Sequence, residues 1–236
     1  MNRPPSRIGE DFDRHVQSYS RQISDAISFS GLEHEFFIQV KRERLLDLVE
    51  RHLAPASEVS ALDLGCGVGA YHSELSRAFG ALSGIDVSEQ SIEYARVRNP
   101  SVSYVSYAGD RLPYPAGSFD VVFAICVLHH VPTTAWPNFA AEMWRVLRRG
   151  GLAVVFEHNP LNPATQYIVR TCPIDEDAVL LWRRRTASLL QTAGLSVIEA
   201  RTILTVPPAG KLLRSLDRIL GYLPFGAQYY TAASKP

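Results

Sequence analysis

Asp63, Gly65, Gly67 and Gly69 fall within Leu62-Asp63-Leu64-Gly65-Cys66-Gly67-Val68-Gly69, an apolar run that opens into a loop with glycine at every second position. Glycines let a backbone come within van der Waals contact of a ligand. Asp63, just ahead of them, sets a negative charge beside that ligand. Such a charge repels a pyrophosphate and attracts an ammonium group. Asp86 closes the next apolar run, Gly84-Ile85-Asp86-Val87-Ser88. It stands roughly 20 residues past the loop, where a carboxylate accepts hydrogen bonds from ribose hydroxyls. Gly65-x-Gly67-x-x-Ala70 also fits the dinucleotide fingerprint. The loop and Asp86 by themselves therefore leave two nucleotide cofactors open.

Histidines supply a second group. His129 and His130 lie in Cys126-Val127-Leu128-His129-His130-Val131-Pro132, and His158 in Glu157-His158-Asn159-Pro160. Imidazole titrates near neutrality, so at a ligand-binding end of a sheet it can remove a proton from an acceptor. His129 is the leading candidate for that base and His158 the second. The competing role for His129 and His130 is structural, capping the next helix or orienting a loop. Asn159 and Asn162 either hydrogen-bond an acceptor or shape their loop. Asp120 reads as a structural acid opening a strand, and Cys66 and Cys126 as small packing residues.

The elements that must hold these residues alternate. Strands are expected at Val59–Leu64, Leu82–Asp86, Val102–Ser106, Asp120–Val127 and Leu152–Glu157, with helices at Ala70–Phe79, Glu89–Arg98 and Thr134–Leu147. Short continuous apolar runs such as Val121-Val122-Phe123-Ala124-Ile125 suit strands buried on both faces. Strand–helix alternation implies a parallel sheet with right-handed crossovers. A proline-rich loop (Asn159 to Pro173), a helix (Asp175 to Ala193), a strand (Ser196 to Thr205), an amphipathic helix (Lys211 to Leu220) and a last strand (Gln228 to Ala233) follow. Ahead of the alternation stand two helical segments, Asp11 to Ser28 and Glu33 to Leu53, ended by Pro55.

Composition narrows the classes. The chain has 236 residues with 24 Lys plus Arg and 24 Asp plus Glu, so it lacks the basic footprint of a nucleic-acid binder. The polar start, Met1 to Glu10, carries no apolar core, and no signal peptide is expected. No apolar run reaches the ~18 residues of a membrane span. Cys66, Cys126 and Cys172 are odd in number and far apart, which suggests reduced thiols in a cytoplasmic protein and no cysteine-built metal site.

Three further segments separate the two cofactors: Ala108-Gly109-Asp110-Arg111-Leu112-Pro113-Tyr114-Pro115 leading into Gly117-Ser118-Phe119-Asp120, the Leu128-His129-His130 segment, and Glu142-Met143-Trp144-Arg145-Val146-Leu147-Arg148-Arg149-Gly150-Gly151. In this order and spacing, residues 57 to 157 resemble the class I S-adenosylmethionine-dependent methyltransferases, especially their small-molecule branch. The resemblance implies a Rossmann-like, mostly parallel seven-stranded sheet of order 3-2-1-4-5-7-6, its last strand antiparallel. It also implies an N-terminal helical lid over residues 1–56, ahead of an S-adenosylmethionine-binding domain over 57–236. By resemblance, Asp63 sits near the methionine ammonium, and Gly65, Cys66 and Gly67 pack on the methionine and ribose. Asp86 and Val87 flank the ribose, Asp110 accepts from the adenine amino group, and Arg111 offers backbone contacts. The carbonyls of Cys126 and Val127 can take the ammonium, Tyr19 closes over the methionine end and Lys41 pairs with its carboxylate. The implied function is methyl transfer to the hydroxyl oxygen of a small acceptor, a secondary metabolite or lipid-like compound. Carbon or nitrogen methylation, a nicotinamide-dependent oxidoreductase and a catalytically silent cofactor-binding module are the alternatives.

Overall fold

A computed structural model describes residues 9–10, 12–13, 16, 19–28, 33–206 and 210–236, leaving out the side chains at 19, 20, 211, 212 and 214. The apolar runs form β1 (Ser60–Leu64), β2 (Ala81–Asp86), β3 (Ser103–Ser106), β4 (Phe119–Ile125), β5 (Leu147–His158), β6 (Ser196–Ile203) and β7 (Gln228–Ser234). They make one sheet in the order β3-β2-β1-β4-β5-β7-β6. β7 runs antiparallel to both of its neighbours, and the other neighbouring pairs are parallel. Order and direction are those expected from the resemblance.

Side-chain alternation sends each strand's residues to two cores. Val121, Phe123, Val154 and Phe156 pack on one face, beneath α2 (His34–His52), α3 (His72–Ala78) and α4 (Glu89–Arg98). Val122, Ala124, Ala153 and Val155 pack on the other, beneath α5 (Trp136–Val146) and α7 (Arg183–Thr192). α2 contributes Leu45, Leu48 and Val49, all fully buried, so it is a wall of the first core as well as a cover for the strand ends. α1 (Tyr19–Ile27) precedes it, and α8 (Gly210–Leu220) runs between β6 and β7.

Two segments differ from expectation. The stretch expected as loop holds a helix, α6 (Pro163–Thr171). Asn162 caps it by accepting from the Thr165 N–H at 3.0 Å, and Pro163 sits in its first turn. Asparagine followed by proline is thus a helix start here, not a loop signal. The helix expected from Asp175 begins only at Arg183. A 3₁₀ turn at Pro173–Asp175 comes instead, because Asp175 is drawn into a buried polar cluster and the Val179 N–H donates to the His129 carbonyl at 2.8 Å. Tertiary hydrogen bonds override the local helical pattern.

The carboxyl ends of β1, β2, β4 and β5 bring Asp63, Asp86, Cys126 and His158 to one edge of the sheet, where ligands bind in open α/β folds. Replacing Leu45 with alanine removes a fully buried side chain of α2. We expect a loss of about 2–5 kcal/mol, read as a lower urea midpoint with an unchanged slope.

Candidate active site

One cavity of about 220 Å³ runs from the glycine loop to the histidines. At the loop end, Gly65 and Gly67 have φ of +82° and +50°, a region that suits glycine. A Cβ on Gly65 would stand 2.5 Å from the Val127 side chain, so the loop is packed on the turn after β4. A Cβ on Gly67 would meet nothing within 4 Å. The loop leaves that space to the cavity. Cys66 and Val87 line the cavity too, and burial pushes the Cys66 thiol well above its usual range.

Asp63 is buried and lines the cavity. Its Oδ2 lies 2.9 Å from His72 Nε2, and His72 Nδ1 lies 2.6 Å from the Tyr104 hydroxyl. Its Oδ1 is buried with no hydrogen-bond partner among the described residues. Burial raises the carboxyl pKa, against the opposing effect of His72. Asp86 braces the loop: one oxygen accepts from the Gly67 N–H at 2.8 Å and the other from Ser88 N–H at 2.9 Å. Each carboxylate oxygen keeps a further lone pair.

Asp110 lines the cavity while its Oδ1 accepts from the Arg111 N–H at 2.7 Å. The Arg111 side chain is exposed and does not line the cavity. Lys41 is 5% exposed, and its Nζ lies 3.9 Å from Cys126 Sγ with no carboxylate partner among the described residues. Tyr19 opens α1, but its side chain lies outside the described residues.

At the other end, a 3₁₀ turn at Leu128–His130 is held from several sides. Glu157, fully buried on β5, accepts from the N–H groups of Val127 at 3.1 Å and Leu128 at 2.7 Å. Trp136 Nε1 donates to the carbonyls of Leu128 and Val131. Cys126, at φ +57°, makes the bend, a left-handed conformation that a non-glycine residue keeps only when its surroundings enforce it.

His129 Nδ1 lies 2.5 Å from Glu157 Oε2, and its Nε2 lies 3.4 Å from Asp175 Oδ1. Burial opposes a charge there, but Glu157 and Asp175 outweigh it and raise the histidine well above its ordinary range. His130 Nε2 is also 3.4 Å from Asp175 Oδ1. Burial and the charge of His129 hold His130 well below the ordinary range, and hold His158 down at about 4. All three histidines line the cavity with Asp175 and Gln228. Asn159 and Asn162 turn away, donating to the carbonyls of Pro224 and Gly226 and of Phe225. They shape the loop. Asp120 is structural, accepting from Ser60 N–H and pairing with Arg148.

Sequence reasoning missed five of these residues: Glu157, Asp175, Gln228, His72 and Tyr104. Glu157 carried a signal, an acid at the end of the apolar run Leu152-Ala153-Val154-Val155-Phe156, where a buried charge demands partners. Asp175 and Gln228 carried none, because only the tertiary fold brings them to the strand ends.

The residues fit the cofactor that the resemblance implies. The unpartnered Asp63 oxygen suits an ammonium, buried Lys41 suits a carboxylate, and the open space over Gly67 suits the connecting atoms. A family model described as a methyltransferase domain matches residues 62–155. The methyltransferase GfsG of Streptomyces halstedii is 30% identical over 75% of this chain and 68% of its own. The 27-O-demethylrifamycin SV methyltransferase of Amycolatopsis mediterranei is 30% identical over 64% of this chain and 58% of its own. The chain spans about half the length of the curated relatives it matches. An S-adenosylmethionine-dependent methyltransferase structure from Thermotoga maritima covers 97% of this chain and all of its own at 19% identity, TM-score 0.66.

The glycine loop yields a discriminating substitution. Gly67→Ala meets no protein atom, and its φ alone costs about 1–2 kcal/mol. The variant is expected to fold, with a modestly lowered melting temperature. It should lose at least tenfold in S-adenosylmethionine affinity by calorimetry. Wild-type affinity in this variant would place the ligand elsewhere.

Proposed function

This chain belongs to the class I S-adenosylmethionine-dependent methyltransferases, and from that premise we propose that it moves the methyl group of S-adenosylmethionine to a hydroxyl oxygen of a small, largely apolar acceptor. The observation that carries this reading is the continuity of one cavity. Donor-holding residues line one end, a histidine–carboxylate cluster stands at the other, and an apolar wall lies alongside.

Lys41 would pair with the cofactor's carboxylate, and the free oxygen of Asp63 would accept from its ammonium. Asp86 would use its remaining lone pairs for the ribose, and Asp110 would accept from the adenine amino group. When bound, S-adenosylmethionine supplies a methyl carbon already activated by a sulfonium. Ile23, Ala26, Ile27, Phe37, Ile168 and Ile174 give the acceptor an apolar wall, which suits a polyketide-like or quinol-like compound. The rifamycin relative, named as a 27-O-demethylrifamycin methyltransferase, favours the same choice. The nicotinamide reading has no support from these relatives.

A hydroxyl must lose a proton as it is methylated. His129, the leading candidate from the sequence, has both ring nitrogens turned to carboxylates, so it orients rather than abstracts. His130 is held uncharged, and Asp175 faces its Nε2 at 3.4 Å. Asp175 therefore fixes the tautomer and steadies the imidazolium formed when Nδ1 takes the proton, the logic of an aspartate–histidine pair. His158, also held uncharged, lines the same end of the cavity.

The test uses methyl-labelled S-adenosylmethionine and a panel of hydroxylated polyketides and quinols, with the product bond located by NMR. Label on oxygen is expected, and label on carbon or nitrogen would overturn the acceptor assignment. His130→Ala should lower kcat by roughly 10²–10⁴-fold with the S-adenosylmethionine Kd unchanged. Lys41→Met should instead raise that Kd at least tenfold.

A further inference from the structure

One nitrogen from each of His129 and His158 and one carboxylate oxygen of Asp175 lie within 4.8 Å of one another. They come from three separate places: the turn after β4, the end of β5, and the 3₁₀ turn that follows α6. Two imidazoles and one carboxylate suit zinc or another first-row transition cation better than magnesium or calcium, which prefer oxygen donors throughout.

Three details of the geometry go beyond a chance cluster. The first is the support behind His129. Its Nδ1 is fixed on Glu157 Oε2 at 2.5 Å, which leaves Nε2 to face Asp175. A carboxylate behind an imidazole is the usual way a metal-ligating histidine is oriented. The second is the spacing. Asp175 Oδ1 stands 3.4 Å from His129 Nε2, about the separation of two donors bound ~2.1 Å from one tetrahedral ion. The third is Gln228. Its Nε2 lies 3.5 Å from His158 Nδ1, and its Oε1 is buried with no partner among the described residues. The same Nε2 lies 3.8 Å from Cys126 Sγ, and the contact with Nδ1 leaves the other ring nitrogen of His158 to turn toward the cluster.

We propose that His129, His158 and Asp175 form a site for one divalent transition-metal ion at the acceptor end of the cavity. Its remaining coordination positions face the space where an acceptor hydroxyl would lie. The binding claim stands on the cluster alone. The role of the ion, drawing the acceptor oxygen in and easing loss of its proton, rests on the methyl-transfer reading above. His130 stays beside the site, because a carboxylate oxygen has lone pairs for both a cation and an N–H.

The rival account is a closed ion-pair network, in which Glu157 and Asp175 simply hold a charged His129. The two accounts differ in a direct measurement. The full chain is freed of metal with a chelator and titrated with cobalt(II), following visible absorption, and with zinc(II) by calorimetry. The site predicts saturation at one equivalent and cobalt bands of a nitrogen–oxygen ligand field. His158→Ala and Asp175→Asn should each weaken binding at least tenfold, with the far-ultraviolet circular dichroism unchanged. Removing the support with Glu157→Gln should weaken it 10–100-fold. Absence of saturable binding, or equal binding in wild type and in both His158→Ala and Asp175→Asn, overturns the proposal. Methyl transfer that proceeds fully in chelator, without cobalt binding, would sink the metal site and leave the methyltransferase reading intact. Saturable, variant-sensitive binding with no methyl transfer would do the reverse.

Discussion

A carboxylate with no access to water controls the histidine end of the cavity. Glu157 ends an otherwise apolar stretch of β5, fully buried between the two cores. The idealised cost of moving such an ion out of water is of order ~20 kcal/mol, and several kcal/mol remain after relaxation. The fold meets that cost locally, with two backbone N–H donors from the turn after β4 and the His129 ring. Compensation of the charge therefore dictates backbone. Val127 and Leu128 must present their N–H groups inward, and Cys126 must take a left-handed bend. Those demands fix where His129 and His130 emerge. Burial pushes the Glu157 carboxyl up, but His129 and the Leu128 N–H outweigh it and hold it below its ordinary range.

The same turn reaches the glycine loop through packing. Val127 fills the space that a side chain at position 65 would need. Displacing the turn would thus displace the glycine loop, and the loop is in turn tied to β2 by the Gly67 N–H on Asp86. The two ends of the cavity are one mechanical unit. Asp63 repeats the device on a smaller scale: a buried carboxylate satisfied on one oxygen by His72, itself held by Tyr104, with the other oxygen left for a ligand. In both places a charge is satisfied on the protein side. At Asp63 that leaves one oxygen free, and at Glu157 it leaves the histidines facing the cavity.

The parallel sheet was legible because the strands of the first half are short, apolar and regularly interrupted by amphipathic helices; its order came only with the family resemblance. The gathering of Asp63, the glycine loop and Asp86 was legible because their pattern is local: glycine spacing, a preceding acid and an acid closing the next strand all lie within one β-α-β unit. The acceptor end was legible only in part. His129, His130 and His158 could be placed at strand ends, but their division of labour depends on Glu157 and Asp175, and distance along the chain hides both partnerships. Asp175 looked like the start of a helix. The segment instead turns early, because the cluster and the His129 carbonyl offer its polar groups better partners than the next helical turn does. The Asn162–Pro163 pair misled for the opposite reason: two residues read as loop formers act together as a cap.

The extent of the family match fits this division. It covers residues 62–155, which include Asp63, the glycine loop, Asp86, Asp110 and the turn bearing His129 and His130. Glu157, His158, Ile168, Asp175 and Gln228 all fall beyond it. The matched segment carries the glycine loop and the acids around it. The unmatched part supplies Ile168 and Ile174 of the apolar wall, the support behind the histidines and the carboxylate between them. Glu157 is the point where the two parts meet, since its carboxylate lies just beyond the match and its partners within it. That junction constrains variation more tightly than the apolar wall does. Isoleucines at 168 and 174 can trade volume at modest cost, whereas loss of either partner of a buried ion pair costs about 3–5 kcal/mol and releases the turn on which both ends of the cavity depend.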